Sequence, residues 1–300
     1  MTDTRPEPVI LVVGATGNLG RAMARRLLAE GRRVRILVRP GSSYGDLVAA
    51  GAEPVTGDLK DPASLRAACS GVDVVVTTAN AIGRGGDDTI ESVDLQGNQD
   101  LIDAAEAEGV GHFVFTSVLG AGAESPVPFI RAKGMAEQRL LKSAMTWTIL
   151  QPNLFMDTWL AMAVGGPALA GQPVTLVGEG RRHHSMVAMA DVVSYAAAAL
   201  DHDEANNARL VIGGPEPISW RDAVAAFERE LGREIAVRSV SPGEPVPGMP
   251  DPVNGLFQML ETYDSPLAME ALAATFGVTP TGLDDFVHGF VSTAVGGSPP

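Results

Sequence analysis

Three glycines near the N-terminus combine a residue type and a spacing that suit phosphate binding. Gly14, Gly17 and Gly20 stand at intervals of three residues. They follow the apolar run Val9–Val13, which is typical of a buried strand, and a helical pattern begins near Asn18. Glycine permits the sharp turn and the close backbone approach, and the helix N-terminus favours an anion. The pattern predicts a dinucleotide site; a glycine-rich turn in an unrelated α/β protein is the alternative.

Arg39 occupies the position that selects between the two nicotinamide dinucleotides. It follows the second predicted strand, Val34–Val38, about twenty residues beyond the glycines, where the adenosine ribose of a dinucleotide is bound. A site that prefers NAD(H) usually has an acidic residue here, whereas a guanidinium suits a 2′-phosphate. The residue therefore favours NADP(H) as the cofactor.

Lys133 lies on an otherwise apolar helix face. Phe129, Ala136 and Leu140 share that face at helical spacing. An ammonium group is costly to bury unless it has a partner or a task. We therefore consider Lys133 a functional residue; the alternative is a pair with Glu137, one turn later, with the lysine stem lying along the surface.

Polar residues also end two further predicted strands. Thr77–Asn80 ends the fourth strand and Ser117 ends the fifth. Because ligands of open parallel sheets bind outside the carboxyl ends of the strands, the first segment is expected to face the cofactor. Ser117 is expected to face the substrate or the ribose, unless it is an ordinary hydroxyl at a strand end.

Repeated alternation of strands and helices supplies the framework for these residues. It predicts an α/β fold with a Rossmann-type doubly wound parallel sheet, followed by a smaller, mostly helical substrate domain. We assign 1–152 plus 186–213 to the NADP-binding domain and 153–185 plus 214–300 to the substrate-binding cap. The Met- and Leu-rich segment 154–164 suits an apolar pocket wall or simple core packing.

Composition excludes several classes of function. The chain has 300 residues, 45% of them hydrophobic, and a formal net charge of −14, which argues against nucleic acid as a partner. Cys69 is the only cysteine, so no disulfide framework or cysteine-based metal site is expected, and we predict no metal. Without a signal-peptide core or a membrane-spanning run, we expect a cytoplasmic protein, monomeric or homodimeric, that acts on a small molecule.

Several motifs together resemble the atypical short-chain dehydrogenase/reductases, specifically the NmrA-like branch that includes isoflavone-reductase-like enzymes. The resemblance covers about the first 215 residues of the chain. It rests on Gly14–Gly20, Leu37–Arg39, Gly57–Leu59, Phe113–Ser117, and Lys133 followed by Thr148–Pro152.

The resemblance implies a role for individual residues. The pyrophosphate side of the cofactor is held by Gly14, Thr16, Gly17, Asn18 and Leu19. Arg39 is implied to bind the 2′-phosphate, and Asp58 and Leu59 to flank the adenine. The ribose and nicotinamide path is lined by Thr78, Ala79 and Asn80, with Lys133 near the nicotinamide. The ring is bordered by Pro152, Asn153, Leu154 and Phe155.

One departure from the wider family limits the chemistry. Typical short-chain dehydrogenases carry Tyr-x-x-x-Lys, and Phe129 stands here in the tyrosine position. The resemblance therefore implies an NADPH-dependent reductase of a small apolar, electron-poor substrate such as a quinone, enone or aromatic ketone, with Lys133 and Ser117 as the catalytic candidates. The alternative is a non-catalytic NADP(H)-binding module that senses redox state or assists assembly.

Overall fold

The chain forms two compact units, each with its own hydrophobic core. A computed structural model describes residues 7–82, 84–249 and 251–296. Unit 1 comprises the described residues up to Pro152 together with Val192–Val211. Unit 2 comprises Asn153–Asp191 and the described residues from Ile212 onward.

Strands and helices are numbered in chain order. The strands are β1 (Val9–Val13), β2 (Arg33–Val38), β3 (Glu53–Thr56), β4 (Val74–Thr77), β5 (His112–Thr116), β6 (Thr146–Pro152), β7 (Val174–Val177), β8 (Ala208–Ile212) and β9 (Val237–Val240). The α-helices are α1 (Asn18–Ala29), α2 (Gly45–Ala49), α3 (Pro62–Cys69), α4 (Asn98–Ala107), α5 (Pro128–Leu140), α6 (Met156–Leu160), α7 (Gly166–Leu169), α8 (Met189–Ala198), α9 (Trp220–Leu231), α10 (Asp251–Leu260), α11 (Glu270–Phe276) and α12 (Leu283–Gly296). Two segments, Ile90–Gly97 and Ala161–Gly165, are wound as π-helix, and Asp203–Ala205 forms a 3₁₀ turn.

The main sheet has the order β3-β2-β1-β4-β5-β6-β8 among the described strands. Every adjacent pair from β3 to β6 is parallel. The chain runs outward from β1 to β3 and returns to β4 on the other side of β1, which creates the switch point at which such sheets bind ligands. Val13 pairs with Thr77 across this point, so the turns that follow β1 and β4 are neighbours. The predicted doubly wound fold is confirmed.

Both faces of β1 are covered. All five of its residues are buried, and Val9, Leu11 and Val13 share a core with Leu65 of α3 and Leu101 of α4. Because side chains alternate along a strand, the residues between them face the other side of the sheet. Cys69 lies in the same core, and burial raises the pKa of its thiol to about 12, so the thiol is not a reactive group at neutral pH.

The helix that precedes α4 is wound more widely than the sequence suggests. One helix is predicted over Ile90–Glu108, but Ile90–Gly97 is π-helical before α4 begins. The Asn98 side-chain amide donates to the carbonyl oxygens of Val93 and Asp94, each at 3.1 Å, and so satisfies acceptors in the wider turn. The segment places Asp94 in the interior of unit 1, fully buried.

Unit 2 is mostly helical around its own core. Strands β7 and β9 pair in parallel, and Trp220 of α9 is fully buried beside Phe257 of α10. Met156 and Leu160 are also buried in this core. Core packing, rather than a pocket wall, therefore accounts for these two side chains. Across the described part of the chain, no helix has the length and apolar character needed to cross a membrane.

Gly20 provides a test of how closely α1 must approach β1. A Cβ at Gly20 would overlap the Gly14 carbonyl and lie 2.7 Å from Thr78 Oγ1. We expect Gly20→Ala to lower the free energy of unfolding by about 1–3 kcal/mol, because backbone must shift to admit the methyl group.

Urea denaturation measures this effect, with Gly289→Ala in α12 as the control. Nothing lies within 4 Å of a Cβ at Gly289, so that substitution should be neutral or stabilising by up to about 1 kcal/mol. Equal destabilisation by both variants would contradict the close approach of α1 to β1.

Candidate functional site

The glycine turn after β1 is shaped to leave backbone donors free. Gly14 has φ +87°, a left-handed conformation that favours glycine, and Gly17 N–H donates to the Gly14 carbonyl oxygen at 3.0 Å. Helix α1 then begins at Asn18 with Gly17 as its N-cap, which supplies no side-chain cap. The first turn of α1 therefore keeps N–H groups and a positive dipole end available to an anion.

A pocket that is open to solvent lies at this turn in unit 1. Its lining consists of Val13, Gly14, Thr16, Leu37, Arg39, Gly57, Asp58, Leu59, Ala79, Arg84, Asp88 and Val93. The pocket brings together six residues predicted to bind cofactor, namely Gly14, Thr16, Arg39, Asp58, Leu59 and Ala79. They come from the turns and loops that follow four strands, β1 to β4, as ligand sites of a doubly wound sheet do.

Five further residues predicted to bind cofactor lie next to this lining in the chain. Gly17 is the N-cap of α1, Asn18 and Leu19 begin that helix, and Thr78 and Asn80 flank Ala79. The Asn80 side chain is engaged locally, since its Oδ1 accepts from Ile82 N–H at 3.0 Å.

Positive charge gathers around one carboxylate at the Arg39 end of the pocket. Arg39 donates to Asp88 Oδ2 at 2.6 Å, Lys60 donates to Asp88 Oδ1 at 2.7 Å, and the Arg84 guanidinium lies 3.6 Å from Oδ2. The Lys60 ammonium and the Arg39 guanidinium hold the pKa of Asp88 at about 2. The Asp88 side chain is 6% exposed and stays ionised at neutral pH.

Sequence reasoning identified Arg39 but missed Lys60, Arg84 and Asp88. The segment Ile82–Asp88 reads as a glycine-containing loop, and its charges resemble those of any solvated loop. The only local signal is the appearance of Arg84 and Asp88 after a strand that ends at the switch point.

Lys133 is buried in unit 1 and does not pair with Glu137. Its side chain is 3% exposed, and Nζ lies 3.6 Å from Asp94 Oδ1. The ammonium donates to the carbonyl oxygens of Thr116, at the end of β5, and Ala79, in the pocket lining, at 3.2 and 3.3 Å. The alternative in which Lys133 is a surface partner of Glu137 is therefore wrong.

Burial and opposite charge act against each other in the Lys133–Asp94 pair. Burial is the main influence on both groups: it lowers the pKa of the Lys133 ammonium and raises the pKa of the Asp94 carboxyl. The negative charge of Asp94 raises the pKa of Lys133, and the positive charge of Lys133 lowers the pKa of Asp94, so each charge acts against the effect of burial on its partner. The Phe115 and Phe129 rings lie 5.0 and 5.6 Å from Nζ, so two aromatic rings border the ammonium in addition to its polar partners.

Glu137 anchors a second buried network that includes Ser117. Its Oε1 accepts from Ser117 Oγ at 2.5 Å and from Gln151 Nε2 at 2.8 Å, and its Oε2 accepts from Arg209 Nε at 3.0 Å. A serine hydroxyl has one proton. Because the Ser117 proton is directed to Glu137, the hydroxyl offers its lone pairs, and not a donor, to anything else that reaches it.

The predicted residues around Pro152 are divided between the two units. Pro152 ends β6 in unit 1, whereas Asn153, Leu154 and Phe155 begin unit 2. The Asn153 amide donates to Ser265, to its carbonyl oxygen and its hydroxyl, each at 3.1 Å. No cluster that could hold a metal ion occurs among residues 7–82, 84–249 and 251–296.

The pocket suits a dinucleotide with a phosphorylated ribose. A Cβ at Gly14 would lie 2.7 Å from Thr78 Oγ1 and 3.0 Å from Ala79 N, so only glycine leaves this cradle open. Uncapped N–H groups at α1 suit a pyrophosphate, and the cations around Asp88 suit a further phosphate. Leu37, Leu59 and Val93 provide apolar surface for a base.

Comparison with known proteins agrees with this geometry. Residues 14–203 match the model of a family described as NAD(P)H-binding. The chain is 32% identical over 227 residues to an NAD(P)H azoreductase of Xenophilus azovorans, covering 76% of this chain and 75% of the azoreductase.

Other similar proteins differ in the activity for which they are named. A photosystem II assembly factor, Ycf39 of Cyanophora paradoxa, is 33% identical over 232 residues, covering 77% of this chain and 71% of the factor. The solved structure of Citrobacter sp. triphenylmethane reductase complexed with NADP(H) superposes with a TM-score of 0.79, at 21% identity, covering 94% of this chain and 99% of that one. This likeness shows the shared fold.

Gly17 tests the phosphate-binding role of the turn. Its φ of −85° is open to any residue, and a Cβ would lie 3.4 Å from the Gly14 carbonyl oxygen. We therefore expect Gly17→Val to fold, while its methyl groups obstruct the donors of α1 and weaken NADPH binding at least about tenfold.

Fluorescence titration with NADPH, alongside circular dichroism, measures the two properties separately. Gly17→Ala is the matched control, and its smaller side chain should have the weaker effect. A folded Gly17→Val variant that binds NADPH normally would show that the turn is not the phosphate site.

Arg39 tests the choice of cofactor. We expect NADPH to bind at least about tenfold more tightly than NADH, a difference of roughly 1.4 kcal/mol, and Arg39→Asp to reduce or invert this preference. Calorimetric titration with both dinucleotides measures it.

Arg33→Asp makes the same charge change at the other end of β2. Arg33 is exposed, and its side chain donates to the Glu7 carbonyl oxygen, so its replacement should preserve the preference for NADPH over NADH. Equal affinities for NADPH and NADH in the unaltered protein would exclude the assigned role of Arg39.

Proposed function

The chain belongs to the NAD(P)H-binding family of atypical short-chain dehydrogenase/reductases, and from this premise we propose that it is an NADPH-dependent reductase of small, apolar, electron-poor molecules. Quinones, enones and aromatic ketones are the proposed substrate classes. The relative named an azoreductase and the fold neighbour named a triphenylmethane reductase support acceptors with conjugated aromatic systems. We further propose that unit 2 supplies residues that bind the substrate.

The observation that carries this proposal is the buried ammonium of Lys133 beside the pocket lining. A lysine that is 3% exposed is expensive to keep in a protein interior, and unit 1 supplies Asp94 and two carbonyl oxygens to hold it there. One of those oxygens belongs to Ala79, which lines the pocket. The protein thus maintains a proton-bearing group at the carboxyl ends of β4 and β5.

The division of chemical tasks follows from these residues. When bound, the nicotinamide supplies a hydride, and a reduced carbonyl or quinone oxygen also requires a proton. Lys133 Nζ carries protons, and Asp94 provides the negative charge that favours the ammonium form. We propose that Lys133 stabilises negative charge on the substrate oxygen or donates a proton to it.

Ser117 is proposed to position ligand rather than to donate a proton. Its hydroxyl proton is engaged by Glu137 at 2.5 Å, so its lone pairs remain as acceptors for a ribose or substrate hydroxyl. Arg39 is proposed to bind the 2′-phosphate, and the start of α1 to bind the pyrophosphate.

A non-catalytic NADP(H)-binding module is the second candidate function. The observation that favours it is Phe129, which occupies the tyrosine position of typical family members and places a ring without an ionisable group 5.6 Å from Lys133 Nζ. The similarity to a protein named as an assembly factor points the same way. In this alternative the buried lysine holds strand ends together and the protein responds to the redox state of the cofactor.

Replacement of Lys133 distinguishes the two functions. We expect Lys133→Met, which keeps the length of the side chain, to reduce kcat for quinone reduction at least about a hundredfold while NADPH affinity changes only a few-fold, because the charge acts mainly in the transition state. Loss of NADPH absorbance with a panel of quinones, enones and aromatic ketones measures turnover, and a separate titration measures binding.

The pH profile adds a readout that a purely structural lysine would not change. An acid must be protonated, so turnover should fall as pH rises, and the midpoint should lie below the ordinary pKa of a lysine because burial lowers the pKa of Lys133. Lys133→Met should lack this alkaline limb. Lys142→Met, at an exposed lysine, is the matched control and should behave as the unaltered protein does. Tight NADPH binding without turnover on any acceptor would favour the non-catalytic module.

A further inference from the structure

The cations at the Arg39 end of the pocket converge on a carboxylate that belongs to the protein itself. Both oxygens of Asp88 are engaged, Oδ1 by Lys60 at 2.7 Å and Oδ2 by Arg39 at 2.6 Å. Arg84 adds a third positive charge, 3.6 Å from Oδ2. Asp88 therefore occupies the point at which the positive charge of this region is focused, and it does so as part of the pocket lining.

An anion at this point competes with a phosphate for the same donors. A phosphate monoester carries up to two negative charges near neutral pH, and it uses the guanidinium and ammonium donors that a carboxylate uses. The N–H groups of Arg39 and Lys60 that contact Asp88 can donate to a 2′-phosphate only when they give up those short contacts. An NADH molecule, which has a 2′-hydroxyl, makes no such demand.

The competing carboxylate is held in place by the backbone that follows it. Thr89 caps the π-helical segment, with its hydroxyl accepting from Ser92 N–H at 3.0 Å and its own N–H donating to Ser92 Oγ at 3.0 Å. Asp88 is the residue immediately before this cap. Its carboxylate is thus present at a high effective concentration whatever the composition of the solution.

We propose that Asp88 is a specificity-determining residue that acts as a built-in competitor for the 2′-phosphate and so lowers the preference for NADPH over NADH. The inference rests on the proposed NADPH-dependent function and extends it. In this proposal Lys60 and Arg84 bind the 2′-phosphate together with Arg39. Competition from Asp88 then determines how strongly these three cations bind the phosphate. Apparent affinity falls with the fraction of molecules whose site is free, so removal of the competitor should recover affinity.

The test compares two pairs of nucleotides, and the members of each pair differ only in the 2′-phosphate. We expect Asp88→Asn to bind 2′,5′-ADP and NADPH about tenfold more tightly than the unaltered protein, while its affinities for 5′-AMP and NADH stay the same. Calorimetric titration at fixed ionic strength measures all four. Asp88→Ala should give the same direction, and thermal unfolding confirms that both variants are folded.

Asp87→Asn is the matched control. It removes the same charge from the adjacent, exposed position and should leave the four affinities nearly unchanged. Weaker binding of 2′,5′-ADP to Asp88→Asn would overturn the inference, because Asp88 would then orient the cations rather than compete for them. Equal gains in Asp87→Asn and Asp88→Asn would also overturn it, since the effect would arise from net charge alone.

The same titrations separate this inference from the function on which it rests. If the unaltered protein binds NADPH but Asp88→Asn shows no selective gain for 2′-phosphorylated nucleotides, the role of Asp88 is refuted and the reductase proposal stands. If the unaltered protein binds neither NADPH nor NADH, the proposed function is refuted and the inference with it.

Discussion

The contact between the first turn of α1 and the end of β1 is the constraint on which the site in unit 1 depends. Neither Gly14 nor Gly20 has space for a side chain, because a Cβ at Gly14 would meet Thr78, just beyond β4, and a Cβ at Gly20 would overlap the Gly14 carbonyl. Helix α1 can therefore lie directly over the switch point of the sheet. The uncapped backbone donors at its start follow directly after Gly14 and Thr16, which line the pocket together with the charged residues Arg39, Asp58, Arg84 and Asp88.

The interior of unit 1 carries an unusual amount of charge for a core built mainly from Val, Leu and Ala. Asp94, Lys133 and Glu137 are each buried, and each is held by partners of opposite charge or by several hydrogen bonds. Such groups contribute little net stability compared with apolar replacements, but each becomes costly when its partner is lost. Lys133 and Glu137 contact residues at or just beyond the carboxyl ends of β4, β5 and β6, which is the edge at which parallel sheets bind ligands.

Local patterns in the sequence were sufficient for the fold and for part of the site. The glycine turn, the buried strands and Arg39 can each be recognised from a few neighbouring residues, and six of the predicted residues line the pocket.

Partners that are distant in the sequence and are brought together by the fold could not be predicted from local patterns. Arg39 and Asp88 are 49 residues apart, and Lys60 and Asp88 are 28 apart. Helical spacing suggested an ion pair between Lys133 and Glu137. In the fold, Lys133 lies beside Asp94 instead, and Glu137 pairs with Arg209, which is more distant in the sequence. The apolar segment after β6 was ambiguous because a core and a pocket wall require the same side chains.

The π-helical winding of Ile90–Gly97 has a consequence for how relatives of this protein can diverge. A wider turn rotates each successive side chain through a smaller angle than an α-helix does, so the winding, and not only the residue type, determines which side chain faces Lys133. Deletion of a single residue in this segment would favour regular α-helical winding and would present a different neighbour to the lysine. A one-residue change in this segment can thus replace the electrostatic partner of Lys133 without any substitution of the lysine itself.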